Sequence, residues 1–402
     1  MRARHELVKI AGERDNAGMD YDLIIVGGGL AGLSLAVALR RSRLKVAVVE
    51  ARAPVQPHGW DARIYAISPS NARFLDSIGI WQHLDVSRIA PVHQMSVHGD
   101  GGGALEFSAY ASGIGELAWI VEGALLHREL WETARRQGNL DLICPATPAR
   151  LDIRADAALL ELTDRRSLTA KLVVAADGAD SWTRTAAGIA VDFAPYDQLG
   201  VVANFTTSRP HHGTAWQWFR SDGVLAWLPL PGAMMSMVWS TPTPHAQELL
   251  ALDSAAFCAR VAAAGNGQLG ALELVTPPAG FPLRLMRAPR TVAHRLALIG
   301  DAAHTIHPLS GHGINLGFQD ARSLAKILTD CPEHVDCGTI QWLRQHERAR
   351  REEVLALQSA THGLQRLFDT RQTPIAALRN LGLNFVDRLP VIKDALVRYA
   401  MG

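Results

Sequence analysis

Six residues, Gly27, Gly28, Gly29, Leu30, Ala31 and Gly32, read G-x-G-x-x-G, and their surroundings restrict the fold more tightly than any other stretch of the chain. Residues 23–26, Leu-Ile-Ile-Val, form an unbroken apolar run, as in a parallel strand covered on both faces. Leu33, Ala36, Val37 and Leu39 then recur at helical spacing. In such a strand, turn and helix unit the first glycine permits the tight turn. The second lets a pyrophosphate approach the backbone, and the third lets the helix pack on the strand. Free N–H groups at the helix start then face a dianion. A second strand, expected over 45–49, ends at Glu50, 18 residues after Gly32, where a dinucleotide fold places its acceptor for ribose hydroxyls.

At 402 residues the chain is long enough for two intimately packed domains. Helical and strand-like patterns alternate, so the expected class is α/β: a Rossmann-like domain, an inserted mostly β section and C-terminal helices. Residues 19–91, 124–189 and 289–330 are assigned to the Rossmann-like part. Residues 92–123 and 190–288 form the inserted substrate section, and 331–402 the C-terminal helices. The first 18 residues are polar and read as a disordered extension, or as translation from a start upstream of Met19. Forty basic residues face 39 acidic ones, with no basic stripe interleaved with aromatics, so nucleic acid is not an expected partner. Cys144, Cys258, Cys331 and Cys337 show no metal-ligand spacing and no C-x-x-C pair, which points to a reduced, cytoplasmic protein. The uncharged stretch 223–244 is broken by Pro229, Pro231, Pro242 and Pro244, so it reads as two strands joined at Pro231-Gly232 and not as a membrane span.

After Glu50 a proline-containing loop leads to Arg63, placed either to reach cofactor phosphate or ring, or to make a surface salt bridge. A helix follows Pro69, strands and a hairpin occupy 92–109, a helix 124–136, and a three-strand meander 150–175. The meander ends at Asp177-Gly178, an acid at the carboxyl end of a strand, where an open α/β sheet binds its ligands; alone, Asp-Gly is an ordinary turn. Residues 190–285 carry strand-like runs rich in Trp and Met, and the clear helix there is 254–264. Any one of Trp216, Trp218, Trp227 and Met237 suits the core; together they also suit a flat apolar substrate pocket.

The third motif spans 296–320. An apolar strand ends at Gly300-Asp301, where Asp301 can hold cofactor hydroxyls. Pro308 turns the chain, and Gly311, His312 and Gly313 open a helix over about 314–328 that continues through Ile314 and Asn315. His304, His307 and His312 lack a companion acid or cysteine at metal-ligand spacing, so no metal site is expected. Residues 339–369 read as a charged helical face. The basic amphipathic tail, 375–401, suits packing on the protein or contact with a lipid surface or lipid substrate.

These three motifs, in this order and at this spacing, resemble the para-hydroxybenzoate-hydroxylase superfamily of FAD monooxygenases. Residues 307–320 resemble the signature of its ubiquinone-biosynthesis hydroxylases, and the likeness extends from about Met19 to the carboxyl end. The resemblance implies that Gly27, Gly28, Gly29, Ala31, Gly32 and Glu50 bind the ADP half of FAD and that Arg63 lies by the flavin. Asp177 and Gly178 would serve FAD and passing NAD(P)H, and Asp301 the ribityl chain. Pro308, Gly311, His312, Gly313, Ile314 and Asn315 would line the isoalloxazine, with Pro308 and His312 at its reactive edge. The family places Gln where this chain has His312. The implied reaction is an NAD(P)H- and O2-consuming hydroxylation of a prenylated phenol through a flavin C4a-hydroperoxide, with no side chain as nucleophile. Peripheral membrane contact and a complex with other quinone-biosynthesis proteins are also implied.

Other readings share the fold. A flavin halogenase would show W-x-W-x-I-P, but Trp216-Gln217-Trp218 continues as Phe219-Arg220-Ser221, and a disulfide reductase would need a cysteine pair after the first helix. A hydroxylase of catabolism or secondary metabolism stays open. So does a non-catalytic binding protein, against which Gly311 and Gly313 argue.

Overall fold

The computed structural model describes residues 19–55, 59–306 and 313–369. The extension 1–18, the stretch with His307, Pro308, Gly311 and His312, and the tail 375–401 lie outside the described residues. Five parallel strands form the centre, in the order Leu296–Leu298, Ser167–Ala175, Tyr21–Val26, Val46–Val49 and Leu140–Ile143. The helices, in chain order, are α1 (Leu30–Ala38), α2 (Pro69–Ser77), α3 (Gly123–Arg135), α4 (Trp182–Ala186), α5 (Thr243–Ala251), α6 (Ser254–Ala264), α7 (Gly313–Thr329) and α8 (Ile340–Asp369).

The unbroken apolar character of residues 23–26 has a direct cause. Leu23 and Ile25 point into one core with α1, α3 and α7, shared with Leu33, Leu126, Leu130, Phe318 and Leu324. Ile24 and Val26, one residue out of phase, point into a second core. That second face is covered by the expected meander, Pro148–Ile153, Ala158–Leu162 and Ser167–Ala175, which supplies Leu160, Leu162 and Leu168.

The inserted section is a nine-stranded sheet. Its central order is Ala279–Arg287, Asp192–Thr207, Met234–Pro242, Gly223–Leu230, Thr214–Arg220, then the hairpin Gln94–His98 and Ala104–Ser108. The hairpin is the expected one within 92–109, and it joins the sheet in parallel, with Trp216 opposite Ser96. The turn at Pro231-Gly232 is also as expected, with Leu230 paired to Met234. One helix escapes the sequence reading: α5 starts between Pro242 and Pro244, which look like strand breakers. Proline is at home in the first helical turn, where its missing N–H has no partner to lose.

A small sheet of Ile64–Ile67, Ala118–Glu122 and Ala90–Val92 joins the two layers. Asp61 fastens the junction: its carboxylate accepts from the Ala124 N–H at the start of α3 (3.0 Å), and its carbonyl accepts from Asn204 Nδ2 (2.8 Å) in the inserted sheet. Among the described residues no helix is long and apolar enough to cross a membrane.

Candidate active site

Between the parallel sheet and the inserted sheet lies a cavity of about 1420 Å³. Small-molecule pockets commonly measure about 300–1,000 Å³, so this one has room for a dinucleotide and a second ligand.

One end is built by the glycine turn. Gly27 has φ +107°, and a Cβ there would stand 2.4 Å from the Ala176 carbonyl oxygen. At Gly29 a Cβ would meet nothing within 4 Å, and no side chain caps α1. The first N–H groups of the helix are therefore unpaired by any cap and open onto the cavity, where the helix dipole favours an anion. Gly32 allows the turn to close, since a Cβ there would lie 2.1 Å from the Gly27 carbonyl. Glu50 stands beside the turn, its Oε2 accepting from the Gly28 N–H (2.6 Å) and its Oε1 from the Arg52 N–H (2.9 Å). His127 of α3 donates from Nε2 to the Gly28 carbonyl (2.7 Å) and also borders the cavity.

The other end is built by Gly300, Asp301 and the start of α7. Gly300 has φ +58°, donates its N–H to Asp320 Oδ2 (2.9 Å), and touches Ala31 of α1 and Gly317 of α7 so closely that a Cβ would lie 3.0 Å from Ala31. Ala31 is thus a spacer between three elements as well as a cavity residue. Asp301 has a large exposed surface only because it faces the cavity. The protein around it raises its carboxyl above the ordinary range by desolvation, opposed by the positive charges of His304, Arg63 and Arg284. Tyr65, in the strand next to Arg63, is likewise pushed up to about 12 by burial, against the pull of Arg63, and stays a neutral donor. Arg63 lines the cavity with its guanidinium 5.5 Å from the Phe281 ring, and among the described residues it makes no salt bridge.

Beneath this end lies a buried charge network. Asp320 Oδ2 pairs with His304 Nε2 (2.7 Å), and Oδ1 accepts from Arg350 Nε (2.8 Å) of α8. Burial alone would raise the Asp320 carboxyl, but His304 and Arg350 hold it well below the usual carboxylate range. Burial alone would lower His304, and Asp320 raises it above the ordinary histidine range. The histidine of the third motif nearest the strand is therefore an ion-pair partner.

Two of the expected site residues border the cavity and also serve the fold. Asn315 lines the cavity, but its amide is spent on the fold: Oδ1 accepts from the Ser68 N–H (3.0 Å) and Asn71 Nδ2 (3.0 Å), and Nδ2 donates to the Ala66 carbonyl (2.7 Å). The Asp177 carboxylate accepts from Ser181 Oγ (2.5 Å), the Thr183 N–H (2.9 Å) and Thr183 Oγ1 (2.9 Å), securing the start of α4. Gly178, Gly313 and Ile314 border the cavity directly.

The tryptophan pocket is also corrected. Trp218, Trp227 and Met237 pack with Phe205, Trp239, Phe257 and Val261 on the far side of the inserted sheet, beneath α5 and α6. Only Trp216 of that set borders the cavity, and it too packs against this core. The reason is the two-residue period of strands: Trp216, Trp218, Trp227, Met237 and Trp239 share one parity, and Gly200, Val202, Gln217, Ala226, Leu228 and Val238, of the other parity, face the cavity. The spacing of Trp216 and Trp218 showed that they share a face, but not whether that face met helices or the cavity.

The open helix end at Gly29, the carboxylate of Glu50 fixed beside it and a cavity larger than a dinucleotide requires fit FAD. Fold and site together define a flavin-binding protein whose cavity has an aliphatic wall, Val202, Ala226, Leu228 and Val238, on the inserted sheet. Residues 20–333 match the family described as FAD binding domain, and residues 280–399 match the squalene epoxidase family. The chain is 35% identical to ubiquinone hydroxylase UbiL of Rhodospirillum rubrum, over 95% of this chain and 89% of that one. It is 32% identical to the mitochondrial ubiquinone biosynthesis monooxygenase COQ6 of Xenopus tropicalis, over 94% and 93%. Among solved structures, Pseudomonas aeruginosa PqsL in complex with 2-aminobenzoylacetate superposes with a TM-score of 0.76 at 23% identity, over 90% of this chain and 99% of that one, a likeness of fold. The chain belongs to the FAD-binding-domain family, as an FAD-dependent aromatic monooxygenase of the para-hydroxybenzoate-hydroxylase superfamily, alongside the ubiquinone-biosynthesis hydroxylases.

Proposed function

We propose that this enzyme hydroxylates the ring of a polyprenylated phenol in ubiquinone biosynthesis, consuming NAD(P)H and O2. The observation that carries the reading is the aliphatic side of the cavity: Val202, Ala226, Leu228 and Val238 form a wall, and Met95 and Phe107 extend it beyond what one ring needs. The near full-length similarity to proteins named as ubiquinone hydroxylases supports it.

In this reading FAD, once reduced by NAD(P)H, supplies activated oxygen to the ring. The chain's own residues bind, orient and keep water out. The N-terminus of α1, with Gly27, Gly28, Gly29 and Gly32, receives the pyrophosphate, Ala31 packs beside it, and Glu50 keeps free acceptor capacity for ribose hydroxyls. Asp301 offers its carboxyl to the ribityl chain, and Arg63 stands at the ring end. Gly313, Ile314 and Asn315 contribute backbone at the start of α7. Pro308, Gly311 and His312 complete that loop in the proposal, with His312 as a donor. Asp177 holds α4 so that Gly178 presents backbone to the cofactor. Tyr65, neutral up to about 12, can donate a hydrogen bond without charging the compartment. A prenylated substrate dissolves in a bilayer, so the reading includes collection at a membrane surface, with the basic segment 375–401 as the contact and other quinone-pathway proteins as neighbours.

The test is anaerobic reduction of the holoenzyme by NAD(P)H, followed by flavin absorbance with and without a prenylated phenol, then oxygen admission and product mass. Faster reduction with the phenol and one oxygen atom gained is expected. Stimulation by a small phenolic acid, with none by the prenylated phenol, would move the enzyme to aromatic catabolism.

A further inference from the structure

We propose that Gln217 is the substrate-binding residue that recognises the ring oxygen of the phenol, an inference that rests on the cavity being an aromatic hydroxylase site. Val202, Val238, Ala226, Gln217 and Val97 are successive cross-strand partners across the inserted sheet. In this row Gln217 is the sole polar side chain, and it borders the cavity. It is only 6% exposed. Its sequence neighbours Trp216 and Trp218 both pack on the far core, which fixes Gln217 on the ligand side.

Among the described residues no group forms a hydrogen bond with its amide. The residue is buried, yet its amide atoms are not sealed off from the cavity it borders, so a group that enters can reach them. By comparison, Asn204 in the same sheet donates to the Asp61 carbonyl (2.8 Å) while its Oδ1 has no partner among the described residues, and Gln319 of α7 accepts from Arg350 Nη2 (3.0 Å). Gln217 is left for something that enters the cavity. An amide offers one acceptor oxygen and two N–H donors, so it can accept from a phenolic hydroxyl or donate to its oxygen. A hydrocarbon tail cannot answer it. The cofactor-facing groups belong to the parallel sheet and the starts of α1 and α7, while Gln217 belongs to the opposite wall. An amide on that wall sets which edge of the ring faces the cofactor, since the aliphatic neighbours fix no orientation.

The test is a cycle on the holoenzyme, with dissociation constants read from flavin fluorescence. The probes are 2-geranylphenol and geranylbenzene, which lacks the hydroxyl; the proteins are wild type and Gln217→Met, with Gln217→Leu as second variant should the first not retain FAD. The wild type is expected to prefer the phenol by about fivefold, the scale of one neutral hydrogen bond. In the variant that preference falls to about one, with geranylbenzene affinity and FAD content unchanged. A preference that survives in the variant overturns the inference, as does a wild type indifferent to the hydroxyl. Product mass from the phenol separates the two readings. If the preference depends on Gln217 but no oxygen is gained, the hydroxylase reading falls and the binding role stands. If oxygen is gained and the preference is unmoved by substitution, Gln217 alone is excluded.

Discussion

Gly27 shows how much one residue can carry. Its φ of +107° is disfavoured for any residue with a Cβ, and its Cβ would stand 2.4 Å from a backbone carbonyl that cannot rotate away. Gly27→Ala is expected to open the turn and weaken FAD binding at least tenfold, about 1.4 kcal/mol or more. Gly138→Ala, at a glycine with open space and no positive φ, should leave it unchanged; flavin absorbance after equilibrium dialysis checks both. The glycine roles were readable from spacing alone because G-x-G-x-x-G encodes a backbone requirement, which no distant residue alters. Side chains whose duty depends on distant neighbours were not readable. Asn315 sits in the most specific motif, yet its amide serves Ser68, Asn71 and Ala66, some 245 positions away. Trp227, fully buried under α6, resembles a pocket aromatic in sequence and is a core aromatic in space.

At the scale of elements, the join of α7, α8 and the strand His304–Thr305 rests on the Asp320 pair with His304 and Arg350. The two signs differ. His304 has a raised folded-state pKa, so its contribution is complete below about 6.5, its unfolded value, and is lost as pH rises through the higher folded value. Asp320 has a lowered folded-state pKa, so its contribution is complete above about 3.9 and is lost as acidification passes below it. The thermal midpoint should therefore fall on the alkaline side as His304 loses its proton. His304→Asn should flatten that alkaline arm in a series of melts across pH. An unaltered arm would show that His304 is neutral in the folded protein. Asp320→Asn would be the harsher change, because it leaves buried His304 without its acid and Arg350 with Glu353 as its remaining carboxylate.

For the molecule as a whole, the ligand cavity is walled by both layers and by the small sheet between them, so a bound cofactor touches elements far apart in the chain. Binding to the folded state alone adds about 2.7 kcal/mol of stability at a free ligand concentration 100 times Kd. Removal of FAD should accordingly lower the thermal midpoint, and titration with FAD should restore it in proportion to the logarithm of its concentration. A midpoint indifferent to FAD would separate the cavity from the cofactor. The parallel sheet, its glycine turn and the acid at its second strand were legible in the chain because they rest on local pattern: apolar runs, helical spacing and a glycine period. The inserted sheet was legible as strands but not as a two-faced wall. Alternation tells which residues share a face, and only packing tells what that face meets. So the backbone geometry of the glycine turn and the place of Glu50 beside it followed from the sequence. The tertiary structure alone decided that the tryptophans belong to the core, that Asp177 and Asn315 spend their polar atoms on the fold, and that Gln217 is left facing the cavity, because each depends on contacts between segments that the linear order keeps far apart.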